Sequence, residues 1–146
     1  MARPAAKTKT RLPEWDLGDL YPGSDSKAFK TDLAAAREKA DAFAARYQGK
    51  VASLAPAEFA AAIRDYEALQ DLTGRIASYA QLLHEGDLAD PEIGRVYQNT
   101  QEAMNAVGTT LLFFVLEINR IEDKALEAKL ADKAAAKYRP WLRDIR

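Results

Sequence analysis

A chain of 146 residues with 48% apolar and 29% charged side chains has the length and balance of one globular domain, and its formal net charge of -1 speaks against a nucleic-acid footprint. Seven glycines and abundant alanine favour helix over sheet. The absence of cysteine excludes disulfides and thiolate chemistry and fits a reducing compartment, so a cytoplasmic location is expected.

The chain opens on MARPAAKTKTR, residues 1–11, where Arg3, Lys7, Lys9 and Arg11 stand without an acid and with little to bury. A disordered basic tail is expected, with no apolar stretch of the signal-peptide kind. Its four charges attract an anionic partner weakly at physiological salt, which favours a solvated terminus over a binding arm. LPEWDLGDLYPG, residues 12–23, then crowds two aromatics, three acids, two prolines and two glycines together with neither helical nor strand periodicity. It reads as a non-helical strap. Trp15, Leu17, Leu20 and Tyr21 can each bury apolar area across helix ends for about 1.5 to 3 kcal/mol, while Asp16 and Asp19 can cap turns.

A first helix is predicted over 25–48, starting at Ser24-Asp25-Ser26 and stopping at Gly49, with Phe29, Leu33, Ala36, Ala40, Phe43 and Tyr47 on one stripe. The second is predicted over 56–86. Pro56 suits the first helical position, and Phe59, Ile63, Tyr66, Leu69, Leu72, Ile76, Tyr79 and Leu83 carry its stripe. Gly74 inside it suggests a close helix crossing or a bend.

Asp90-Pro91 signals a third helix over 91–120, striped by Ile93, Tyr97, Thr100, Met104, Val107, Leu111, Phe114, Ile118 and Ile121. Its second half is apolar nearly all round, because Leu112, Phe113, Val115 and Leu116 lie off the stripe. Such a helix must be covered on several sides. The lipid-like run from Ala103 to Leu116 is too short for a membrane span, which needs about 20 apolar residues. A fourth helix is predicted over 123–137 around Leu126 and Leu130, with Pro140 interrupting it or starting a new turn at Trp141-Leu142. The chain reaches Arg146 with no cap or polar tail, so truncation from a longer protein is expected. Short connections at 49–55 and 86–90 force neighbouring helices to run in opposite directions. The fold class is therefore all-α, an antiparallel bundle of about four long helices behind a non-helical N-terminal strap.

His84, the single histidine, stands in HEGDL, half of the zinc-peptidase pattern H-E-x-x-H. The position of the second imidazole is Leu88, and Gly86 intervenes, so a helix-end histidine favoured by the macrodipole is the better reading. There is no glycine-elbow serine and no glycine-rich phosphate loop. Glu67, Asp71, Glu85, Asp87, Asp90 and Glu92 read as solvated or capping carboxylates, and Tyr66, Tyr79 and Tyr97 as core or core-edge aromatics rather than a ligand groove. No catalytic, cofactor-binding or metal-ligating residue is assigned.

Trp15-Asp16-Leu17-Gly18-Asp19-Leu20-Tyr21-Pro22 resembles the start of oligoendopeptidase F proteins, of the thimet-oligopeptidase-like zinc peptidases, where W-D-L-x-D-L-Y/F precedes the first long helix. The resemblance continues through Ser78-Tyr79-Ala80, Asp87-Leu88-Ala89-Asp90-Pro91, Tyr97-Gln98 and Tyr138-Arg139-Pro140-Trp141-Leu142, which together span nearly everything after the tail. It implies a parent that hydrolyses oligopeptides with zinc held by H-E-x-x-H and a further glutamate, all far downstream, where the metal activates a water. None of those residues is in this chain. The fragment alone is expected to be inactive and to form one wall of a channel that admits short peptides, with the downstream catalytic domain as its partner. No nucleic-acid or membrane partner is implied. The apolar third helix is expected to leave an exposed patch that makes the isolated fragment self-associate. A second reading is a self-contained helical interaction or assembly module whose seam pairs with partner helices.

Overall fold

The computed structural model describes residues 14–146. The basic tail and the first two residues of the strap lie outside the described residues. The strap runs through turns and bends without helix or strand and leads to helix α1, Lys27–Tyr47. Among the three candidate caps it is Ser26 that starts this helix, its Oγ accepting from Phe29 N at 3.2 Å. The exit runs through Gln48 to Gly49, whose φ of +77° lies in the left-handed region that a Cβ disfavours.

A single 3-10 turn, Val51–Ser53, precedes α2, Pro56–Gly86. Pro56 occupies the first turn, and Ala55 N donates to Glu58 Oε2 at 3.3 Å, which satisfies an amide with no helical partner. Asp90 then starts α3, Pro91–Asn119, its Oδ1 accepting from Glu92 N at 2.8 Å and Ile93 N at 3.4 Å.

The three long helices pack mutually, each touching the other two, and their predicted stripes meet in the middle. Phe29, Ala36, Ala40 and Phe43 of α1 are buried against Phe59, Ile63, Leu69, Ile76 and Tyr79 of α2 and Val107, Leu111, Phe114 and Ile118 of α3. Aromatic rings tie the layers together. Phe43 meets Phe114 edge-on at 5.1 Å, and Tyr66 meets Phe114 at 5.0 Å, so one ring of α3 touches both neighbouring helices.

The α1–α2 connection is held from both sides by opposite charges. Glu117 of α3 accepts from Gly49 N at 2.6 Å and from Val51 N at 3.2 Å. Lys129, 8% exposed, donates to the Leu54 carbonyl and stands 5.6 Å from the centre of the Phe59 ring. Burial lowers the pKa of that ammonium.

The predicted fourth helix over 123–137 is broken. It forms α4, Asp123–Leu130, and α5, Lys133–Ala136, followed by α6, Arg139–Ile145. The first break arises at Asp132, whose carboxylate accepts from Ala134 N at 2.8 Å and so starts a new helix. The second lies before Pro140, which cannot continue a helix but fits the first turn of one. Each piece buries its own anchors: Leu126 and Leu130, then Ala135, then Leu142. A continuous rod would have carried these side chains away from α2, on which α4 and α5 pack.

Gly74 is exposed in mid-α2, and a Cβ added there would meet nothing within 4 Å. No helix crosses at this point. Gly74→Ala should therefore stabilise the fold by about 0.5 to 1 kcal/mol through reduced entropy of the unfolded chain. Thermal denaturation should show a midpoint raised by about 2 to 4 °C; a lowered midpoint would mean that the position is under hidden constraint.

Candidate functional site

His84 closes the last turn of α2, but the helix ends at Gly86, so Leu88 falls in the following turn and is 71% exposed. The H-E-x-x-H geometry, two imidazoles one helical turn apart, cannot form on this backbone. Instead the His84 ring stacks on Tyr97 of α3, centroids 4.7 Å apart and planes 15° from parallel. Its Nδ1 is buried with no hydrogen-bond partner. Among the described residues no three His, Cys, Asp or Glu side chains converge on a point. No cluster of the about four N, O or S ligands that a zinc ion takes is thus present among the described residues.

The other tyrosines lie at the core or its edge. Tyr79 is buried in a cluster with Tyr21 and Phe29, all three ring pairs separated by 5.1 to 5.2 Å. Tyr66 is half-buried between Phe114 and Trp141, the latter at 5.9 Å. Of the carboxylates, Glu67, Asp71, Glu85, Asp87 and Glu92 are exposed, while Asp90 is half-buried as the cap of α3.

The strap is anchored at its C-terminal end. Tyr21 is 3% exposed, and its hydroxyl donates to Asp32 Oδ2 at 2.7 Å. Arg75 of α2 reaches the same oxygen at 2.6 Å and lies over the Tyr21 ring. The strap is thus buckled to α1 and α2 together. Burial, then the Asp32 hydrogen bond and charge, push the Tyr21 phenol up to about 12, against the opposing effect of Arg75. A parallel buckle joins α1 to α2, where Tyr47 donates to Asp65 Oδ2 at 2.9 Å beside Arg46.

Upstream, Asp16 accepts from Gly18 N at 2.9 Å, and Leu20 N and Tyr21 N both reach back to Leu17 O, winding 17–21 into a tight turn. Burial of Trp15 is the expectation the structure corrects: the indole is 65% exposed, because it precedes the turn that seats Leu17, Leu20 and Tyr21. It stands instead at the edge of a cleft of about 490 Å³ between the strap and the tip of the α2–α3 hairpin.

A second surface lies on α3. Phe113 and Val115 are half-buried, but Leu112 is 56% and Leu116 47% exposed, one turn apart on a single face. α1, α2 and the Val51–Ser53 turn pack on this helix and leave these two leucines exposed. Comparison with protein-family models, with curated proteins and with solved structures finds no match to this chain.

Proposed function

We propose that this chain is the N-terminal helical wall domain of an oligoendopeptidase F-like zinc peptidase, non-catalytic itself, lining or covering a channel for short peptides. The zinc and the residues that bind it belong to a downstream catalytic domain, and the parent works in the cytoplasm. Support comes first from the ordered motifs, Trp15-Asp16-Leu17-Gly18-Asp19-Leu20-Tyr21-Pro22 through Tyr138-Arg139-Pro140-Trp141-Leu142. Among the described residues, no helix is long and apolar enough to cross a membrane.

The observation that carries the reading is the uncovered face of α3. Leu112 and Leu116 are large apolar side chains exposed on a helix whose opposite face packs into the bundle, as a wall helix with polypeptide on its outer side would have them. A standard stable interface buries about 800 Å² per partner, and two half-exposed leucines fall far short of that. Association of the isolated chain through this face is accordingly weak.

Light scattering at high micromolar concentration should show a self-associating chain, and Leu112→Lys with Leu116→Lys should return it to monomer without loss of helicity. A monomeric unsubstituted chain at that concentration would count against the uncovered face of α3 as an interface. The peptidase assignment is tested separately, by the coding frame beyond Arg146. It should run for several hundred codons to an H-E-x-x-H; a stop codon directly after Arg146 would replace the wall domain by a self-contained assembly module.

A further inference from the structure

The cleft between the strap and the α2–α3 tip has a lining that selects a class of ligand. Its floor is aliphatic, made by half-buried Leu17, Leu82, Leu83 and Ile93, and one edge is the exposed Trp15 indole. Among the described residues, the titratable side chains on it are acidic: Glu14, Glu85 and Asp87.

We propose that this cleft binds short peptides carrying a lysine or arginine next to a large apolar side chain. The inference stands apart from the peptidase reading, since it uses only groups of this chain. An apolar side chain on the floor covers aliphatic surface that the bundle leaves half-exposed. The neighbouring lysine or arginine can lay its methylene stem along the Trp15 face and place its cation beside Glu85 and Asp87, combining a cation–π contact with charge attraction. Two of the acids are oriented by hydrogen bonds that leave their charge intact: Gln81 Nε2 donates to Glu85 Oε1 at 2.9 Å, and Ala89 N to Asp87 Oδ1 at 3.1 Å. An acidic peptide meets repulsion from the same groups. At about 490 Å³ the cleft falls within the range of roughly 300 to 1,000 Å³ common for ligand pockets, and it is open to solvent.

The chain has two tryptophans, so Trp141→Phe leaves Trp15 as the sole indole reporter. Titration of that variant with the acetylated, amidated tetrapeptide Leu-Arg-Leu-Arg should shift the Trp15 emission to the blue and saturate, with a dissociation constant of about 0.1 to 1 mM. Calorimetry on the unsubstituted chain should give the same constant, which guards against a packing effect of the Trp141 substitution. E85Q with D87N should weaken binding about tenfold, and Leu-Glu-Leu-Glu should bind at least tenfold more weakly than the basic peptide. A chain lacking residues 1–11 should bind no more weakly, because every lining residue named above is retained. No saturable signal in either assay, equal binding of the acidic peptide, an affinity indifferent to E85Q and D87N, or loss of binding on removing residues 1–11 would each overturn the assignment.

Discussion

Replacing Phe114 with alanine should destabilise the fold by about 3 to 5 kcal/mol, the range for emptying a large aromatic site in a core. The ring is fully buried at the junction of the three long helices, 5.1 Å from Phe43 of α1 and 5.0 Å from Tyr66 of α2. Tyr66 extends the contact to Trp141 of α6, so a hole at Phe114 loosens four elements at once. A domain of this size has about 5 to 15 kcal/mol of stability to lose, so the variant should have a greatly reduced denaturation midpoint or be largely unfolded at room temperature. Leu112→Ala is the matched control. It lies on the same helix two residues earlier but is 56% exposed, and its cost should stay within about 0.5 kcal/mol. Equilibrium urea denaturation of the two variants decides the matter: a Phe114→Ala cost below about 1 kcal/mol, or equal costs at the two sites, would mean that the core is not organised around this ring.

The two positions also mark what local pattern can and cannot tell. Phe114 was legible because it falls on a stripe with Val107, Leu111 and Ile118, and the bounds of α2 and the start of α3 were legible because proline and aspartate act on the backbone locally. Leu112 and Leu116 read as needing cover, but which apolar side chains of α3 stay outside depends on where α1 and α2 sit, a tertiary fact. The break between α4 and α5 is hidden for a related reason, whereas Pro140 announces the one before α6. The alanine- and lysine-rich sequence has high helix propensity, and the demand that Leu126, Ala135 and Leu142 all be buried outweighs it. Trp15 misled because residue type suggested burial, whereas the Asx turn at Asp16 and Gly18 places the anchor further along, at Tyr21.

Least legible were groups that act across long separations. Glu117 holds amides 66 and 68 positions away, and Lys129 holds a carbonyl 75 positions away. Neither has a local signature. The strap cleft is of the same kind, since Trp15 and Glu85 come together only after α1 and α2 have folded back on each other.

Alkaline pH should unfold the protein between about pH 10 and pH 12, in step with its buried phenols. Burial raises Tyr21 from 10.0 to about 12, aided by Asp32 and opposed by Arg75. Tyr47 is raised by burial and then Asp65, Tyr66 by burial, and Tyr79 by burial and then Asp25. Above pH 10 the unfolded chain releases these protons while the folded one keeps them. The stability they confer is therefore complete below the unfolded value of 10.0 and is lost as pH climbs through the folded values. For Tyr21 the displacement from 10.0 to about 12 corresponds to roughly 2 to 3 kcal/mol. Lys129 acts in the opposite sense: burial lowers its pKa, so below the ordinary 10.5 the unfolded chain binds the extra proton and stability rises with pH. One lysine opposes four tyrosines, and the net change is a loss. Tyrosinate absorbance and far-ultraviolet circular dichroism followed together should move in a single transition. Tyr21→Phe should flatten the alkaline slope while costing about 1 kcal/mol at neutral pH, where Asp32 loses its phenol donor. Phenols that ionise near pH 10 with the helices still intact would show that these side chains are not held as the bundle holds them here, and the buckle from strap to α1 and α2 would have to be given up.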